Sequence, residues 1–102
     1  MWILHTVNKS PFETNALASA LSHAATNDAV LLIEDAVYGA LQGTTASKAV
    51  EAKASQGKLF VLSPDLAARG LAKGRLIDGI KQVDYAGFVD LVAEHKVTQA
   101  WL

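Results

Sequence analysis

The stretch WILHTVNKSPFE, residues 2–13, constrains the fold more than any other part of the chain. Its first six residues are aliphatic, aromatic or β-branched apart from His5. A short apolar run of this kind suits a strand buried on both faces. Ser10-Pro11-Phe12-Glu13 then predicts a capping box. In that motif the Ser10 hydroxyl accepts from the Glu13 backbone N–H, and the Glu13 carboxylate reaches back to the Ser10 N–H. Pro11 takes the first helical position, where a missing N–H is harmless. Strand, short turn and capped helix make the first half of a βαβ unit. The intervening loop, Asn8-Lys9-Ser10, falls where open parallel sheets place ligands or partners.

The same alternation continues along the chain. Phe12, Ala16, Leu17, Ala20, Leu21 and Ala24 share one helical face, with Asn15, Ser19 and Ser22 opposite, so the first helix is expected to reach Ala25. Thr26-Asn27-Asp28 reads as a loop, and residues 29–33 (AVLLI) as a second buried strand. Asp35 is placed to cap a short helix over 36–41, closed by Gly43. Residues 44–55 predict an alanine-rich, more exposed helix stopped by Gly57, and 58–62 (KLFVL) a third strand. Ser63-Pro64-Asp65 opens a helix over 66–69 that Gly70 caps, and 71–78 reads as irregular. A short fourth strand over 80–83 leads to Asp84, the expected cap of a helix over 85–94 with Tyr85, Phe88, Val89 and Val92 on its apolar face. Residues 97–102 form a last strand at an edge. Strands alternating with helices predict an α/β fold: one domain over 1–102, a mostly parallel five-stranded sheet, helices on both faces and right-handed crossovers.

Composition narrows function mainly by exclusion. Nine basic against ten acidic residues give a net charge of −1, without the basic excess of a nucleic-acid binder. So small a net charge, with a mean hydropathy of +0.23 and an alanine-rich surface, favours association with other chains. No apolar run approaches the roughly 20 residues that span a bilayer, and the N-terminus lacks a leader pattern, so the expectation is a cytoplasmic protein. The chain has no cysteine. It therefore has no disulfide, no thiolate metal site and no protein thiol or persulfide.

Each candidate for chemistry has a bland reading beside it. His5, inside an apolar strand, is either a buried neutral histidine with one hydrogen bond, or a group acting on a proton or at a subunit contact. His23 and His95 read as solvated, and the three histidines lack the spacing of a metal site. Glu34-Asp35 stands at the carboxyl end of the second strand, where Asp35 caps a helix and Glu34 is a surface or interface group. Ser10 and Ser63 both precede proline outside any nucleophile elbow. No phosphate-cradling glycine motif occurs. Arg69, Lys73 and Arg75 form a small basic group, read as solvated or as an anionic-partner surface. Trp2 and Trp101, one residue in from each terminus, are candidates for an interface, as are Val37, Tyr38 and Leu41.

Several of these segments together resemble the DsrH/TusB family of sulfur relay proteins over essentially the whole length. They are Leu4-His5-Thr6 with Ser10-Pro11, Glu34-Asp35-Ala36-Val37-Tyr38-Gly39-Ala40-Leu41, and Asp65-Leu66-Ala67-Ala68-Arg69-Gly70. Val83-Asp84-Tyr85-Ala86-Gly87-Phe88-Val89-Asp90-Leu91 and Gln99-Ala100-Trp101-Leu102 complete the set, and these two are closer to DsrH of sulfur oxidisers than to TusB of tRNA-thiolating bacteria. The resemblance implies a DsrE/F/H-like domain and a place in a heterohexamer, with two copies each of this chain, a DsrE/TusD-like subunit and a DsrF/TusC-like subunit. In that family the persulfide cysteine belongs chiefly to the DsrE/TusD-type partner, and sulfur passes to a DsrC/TusE-like acceptor. Some DsrH-type members carry a cysteine in the first helix, where this chain has Ala20. A sulfur-carrying role for this subunit is thereby excluded, with no cofactor implied. Its expected partner interface is Trp2, His5, Glu34, Val37, Tyr38, Leu41 and Trp101. Two alternatives remain open at the level of sequence: a small acid–base enzyme using His5 with Glu34 or Asp35, and a standalone homo-oligomeric scaffold.

Overall fold

In the computed structural model, which describes residues 2–71 and 74–102, the chain forms five strands. They are β1 (Ile3–Val7), β2 (Ala29–Leu32), β3 (Leu59–Leu62), β4 (Lys81–Val83) and β5 (Val97–Trp101). All four pairings are parallel, in the order β4-β3-β2-β1-β5. The sheet, the single domain and the edge position of the last strand agree with the sequence reading. Strand order reverses between β1 and β5, which places the crevice of an open α/β sheet at the carboxyl end of β1.

The two faces are covered unequally. Val7, Val30, Leu32, Leu59 and Val61 point to one side. There they pack on α1 (Ala16–His23), a 3-10 helix (Glu34–Ala40), α2 (Ser47–Ala54) and α3 (Ser63–Ala68). Leu4, Ala29 and Leu31 point to the other side and meet α4 (Tyr85–Glu94) through Leu91 and Phe88. The period-two alternation of strand side chains makes both clusters from the same three apolar runs.

Several local expectations change. Residues 11–13 form a turn, and α1 begins only at Ala16. The Ser10 hydroxyl accepts from Phe12 N at 3.1 Å, while the Ser10 carbonyl takes Glu13 N and Thr14 N. The Thr14 hydroxyl then accepts from Ala16 N. The backbone groups of a first helical turn are thus satisfied locally, which lets the chain turn without continuing as helix. Phe12, expected on the buried face, is 60% exposed.

Asp35 caps nothing. The 3-10 helix starts one residue earlier, because Glu34 takes the left-handed conformation (φ 50°) and its N–H is held by Asp65 Oδ2 at 2.6 Å. Asp35 instead accepts from Arg69 Nε at 2.9 Å. Arg69 is therefore committed to an ion pair, and Lys73, the third member of the expected basic group, lies outside the described residues. α3 starts at Ser63, whose hydroxyl donates to the Val83 carbonyl and ties β3 to β4.

Lys53 of α2, expected on an exposed helix, is buried. Its ammonium donates to the Ala25 carbonyl at 2.9 Å and to Gln56 Oε1 at 3.2 Å, so its stem lines the core while its head closes a turn. The α4 cap is as expected, with Asp84 Oδ1 accepting from Gly87 N at 2.8 Å. Its packed face is not. Leu91 and Phe88 meet the sheet, whereas Tyr85 and Val89 are 61% and 67% exposed. Helical periodicity marks an apolar stripe but not which edge of it meets the neighbour.

Candidate functional site

Two places bring together side chains beyond simple packing. The first is around His5, which is only 3% exposed on the face covered by α1. Register pairs Leu4 with Ala29, so Asp28, just ahead of β2, lies beside β1. His5 Nε2 is 2.9 Å from Asp28 Oδ2, and Trp101 Nε1 is 3.0 Å from His5 Nδ1. An indole N–H only donates, so Nδ1 is the acceptor and Nε2 carries the hydrogen given to Asp28. His5 is thus held as one neutral tautomer between an edge-strand tryptophan and a carboxylate.

Asp28 also accepts from Ile3 N and Ala25 N, each at 3.0 Å. Burial pushes its carboxyl up, but the bonds from His5, Ile3 and Ala25 outweigh this and hold it below the ordinary 3.8. Burial pushes the nearby Lys53 ammonium below its ordinary 10.5, opposed by the charge of Asp28. His23, on the exposed end of α1, lays its ring against Trp101 with centroids 5.3 Å apart. His95 bonds the Leu91 carbonyl.

The second place is the carboxyl end of the sheet. Ser10, Phe12, Glu13, Asp35 and Tyr38 line an open cleft of about 370 Å³. Glu34, exposed and conformationally fixed by Asp65, stands beside Asp35. Leu41 is half-buried and bridges to Leu76. A smaller but more enclosed groove between α1 and α2, about 230 Å³, is lined by Leu17, Leu21 and Ala49 among others. Among the described residues no group of three His, Asp or Glu side chains is arranged to hold a metal ion.

The expected interface residues therefore divide. Trp2, 46% exposed, lies at the amino end of the sheet, and Glu34, Tyr38 and Leu41 lie at the carboxyl end. His5 and Trp101 are brought into contact. His5 and Val37 have almost no surface of their own, Val37 being fully buried under the 3-10 helix. The acid–base pair of the alternative reading is not formed. His5 is bonded to Asp28, not to Glu34 or Asp35, and it is buried, not set in an open cleft. Sequence reasoning passed over Asp28 as a loop residue. The available signal was an acidic side chain at the mouth of a wholly apolar strand.

Residues 9–98 match a family model described as DsrH like protein. Protein TusB of Escherichia coli O81 (strain ED1a) is 34% identical over 99 residues, covering 97% of this chain and 100% of that one. Protein TusB of Yersinia pestis (strain Pestoides F) is 35% identical over the same length and shares. The chain belongs to the DsrH/TusB family of sulfur relay proteins. The ychN protein of E. coli, known from a crystal structure, has the same fold: TM-score 0.89 over 98% of both chains, at 18% identity.

The segments that carry the DsrH/TusB resemblance have physical work in this fold. In Tyr38-Gly39-Ala40, a Cβ on Gly39 would lie 2.7 Å from Leu17 Cδ2, so glycine lets the 3-10 helix rest directly on α1. Asp65 and Arg69 fix Glu34 and Asp35 from across the sheet end. Asp84 caps α4, and Gly87 lets its first turn sit on Val83, where a Cβ would come within 2.9 Å.

Proposed function

We propose that this chain is a non-catalytic subunit of a cytoplasmic sulfur relay complex of the DsrE/F/H or TusB/C/D type. The observation that carries the reading is full-length membership of the DsrH/TusB family in a sequence with no cysteine. A persulfide needs a thiolate to hold it, so in such a relay this subunit supports the transfer and does not carry the sulfur. The persulfide then resides on a DsrE/TusD-like partner, with a DsrF/TusC-like chain completing the heterohexamer and a DsrC/TusE-like protein as acceptor. The end use is sulfur oxidation or 2-thiolation of the tRNA wobble uridine.

The partner surface we assign to this role is the carboxyl end of the sheet, Glu34, Tyr38 and Leu41, together with Trp101 on the β5 edge and Trp2. His5 and Val37 support it from beneath, His5 by holding Trp101 and Val37 by seating the 3-10 helix. Aromatic residues at a largely polar rim fit a protein contact better than a small-molecule site. The direct test loads the assembled complex with radiolabelled sulfur under non-reducing conditions. Label on a cysteine-bearing partner and on the acceptor, with none on this chain, supports the reading. Transfer that proceeds equally well in a complex lacking this chain contradicts it.

A further inference from the structure

The His5 cluster has a property that packing alone does not require. Its three members form a chain of fixed polarity: Trp101 Nε1–H donates to His5 Nδ1, and His5 Nε2–H donates to Asp28. The ends cannot exchange roles, since indole N–H never accepts and a carboxylate never donates while ionised. A second proton on His5 has one place to go, Nδ1, and there it meets the indole N–H across 3.0 Å.

The geometry points to His5 as a proton-operated latch on Trp101: with Nδ1 bare it holds the indole N–H, and a proton taken from solvent turns that acceptor into a donor, breaks the bond and releases the indole N–H. The imidazolium does not lose its other partner. Its Nε2–H bond to Asp28 becomes charge-assisted and strengthens. Asp28, held below the ordinary carboxylate value, stays ionised while histidine takes up its proton. Trp101 alone loses an interaction. It is half-buried on an edge strand paired only with β1, with its ring set against the core cluster and between the His5 and His23 rings, so what the proton releases is its indole N–H.

The charged and titratable groups around the latch come from three elements. Asp28 precedes β2 and bonds His5 directly. His23 of α1 covers the other side of the Trp101 ring, with its Nδ1 held 2.8 Å from the Ser19 carbonyl. Lys53 of α2 donates to Ala25, in the turn that Asp28 closes. The latch itself depends only on hydrogen bonds within the chain. Its consequence, a proton-dependent β5 edge at the partner surface, rests on the relay reading, and the two can fail separately.

The test is an NMR titration of the full ¹⁵N-labelled chain carrying Trp2→Phe, an exposed replacement that leaves Trp101 as the one indole. The latch predicts that the Trp101 indole N–H leaves its hydrogen-bonded position with the same midpoint as the His5 ring signals. Trp101→Phe, which removes the donor that opposes a proton on Nδ1, is expected to move the His5 transition to higher pH. His23→Gln is expected to leave the joint transition in place. An indole signal that follows His23, one that stays hydrogen-bonded after His5 has titrated, or unfolding before His5 takes its proton each overturns the latch. The titration of the Trp2→Phe chain decides the matter even if Trp101→Phe does not fold.

Discussion

Asp28 shows how much of a small α/β domain can hang on one carboxylate. It receives the backbone N–H groups of Ile3 and Ala25 and the His5 ring, joining the start of β1, the turn after the first helix and the mouth of β2. Replacing it with alanine leaves one buried and two part-buried donors without this partner, so Asp28→Ala is expected to lower stability by about 3 kcal/mol, read from urea unfolding. Its pH dependence has a definite sign. The folded carboxyl lies below its unfolded value of 3.8, so its contribution is complete above 3.8 and fades as pH falls through the lower folded value. Acid unfolding of Asp28→Asn is expected to lack that component. Lys53 gives a slope of the same sign in a more alkaline window: its folded value is also depressed, so stability is gained as pH rises through that value toward 10.5. At this scale the sequence was half legible. A histidine within an apolar strand announced itself, whereas its partner stands 23 positions away and becomes a neighbour only through the parallel register of β1 and β2.

At the scale of elements, the alternation of apolar runs with helical stretches was enough to foresee strand count, parallel pairing and the edge position of β5. Element starts were less legible, because side chains from elsewhere decide them. Asp65 sets the start of the 3-10 helix, and Thr14 delays α1. The alanine-rich α2 gave no sign that Lys53 would turn inward, since its acceptor at Ala25 belongs to a different loop. Two outcomes are expected here. Gly39→Ala forces Leu17 and the 3-10 helix apart and is expected to cost about 1–3 kcal/mol in thermal or urea unfolding. Amide exchange is expected to be slowest in β1, β2 and β3 and fastest among the strands in β4 and β5, which lie at the edges with exposed side chains.

For the whole molecule, the near-zero net charge and the exposed aromatic residues at the sheet ends describe a chain suited to assembly. Tyr38 is half-buried and Glu34 exposed, so truncating Tyr38 removes contact area without opening the core. In the assembled relay, Tyr38→Ala is expected to weaken partner binding about 30-fold, an ordinary hot-spot effect, while the isolated chain keeps its unfolding midpoint. Titration calorimetry beside urea unfolding separates the two. What sequence alone could not supply at this scale is which half of the surface meets which partner, because the interface residues lie at opposite ends of the same sheet and no periodicity links them. The central claim is that this family member works as a subunit within a relay carried by other chains. Co-expression with DsrE-like and DsrF-like chains, followed by the native mass of the purified product, tests it most directly. One hetero-oligomer containing this chain and a cysteine-bearing partner is expected. A monomer or homo-oligomer that leaves those partners unbound would contradict it.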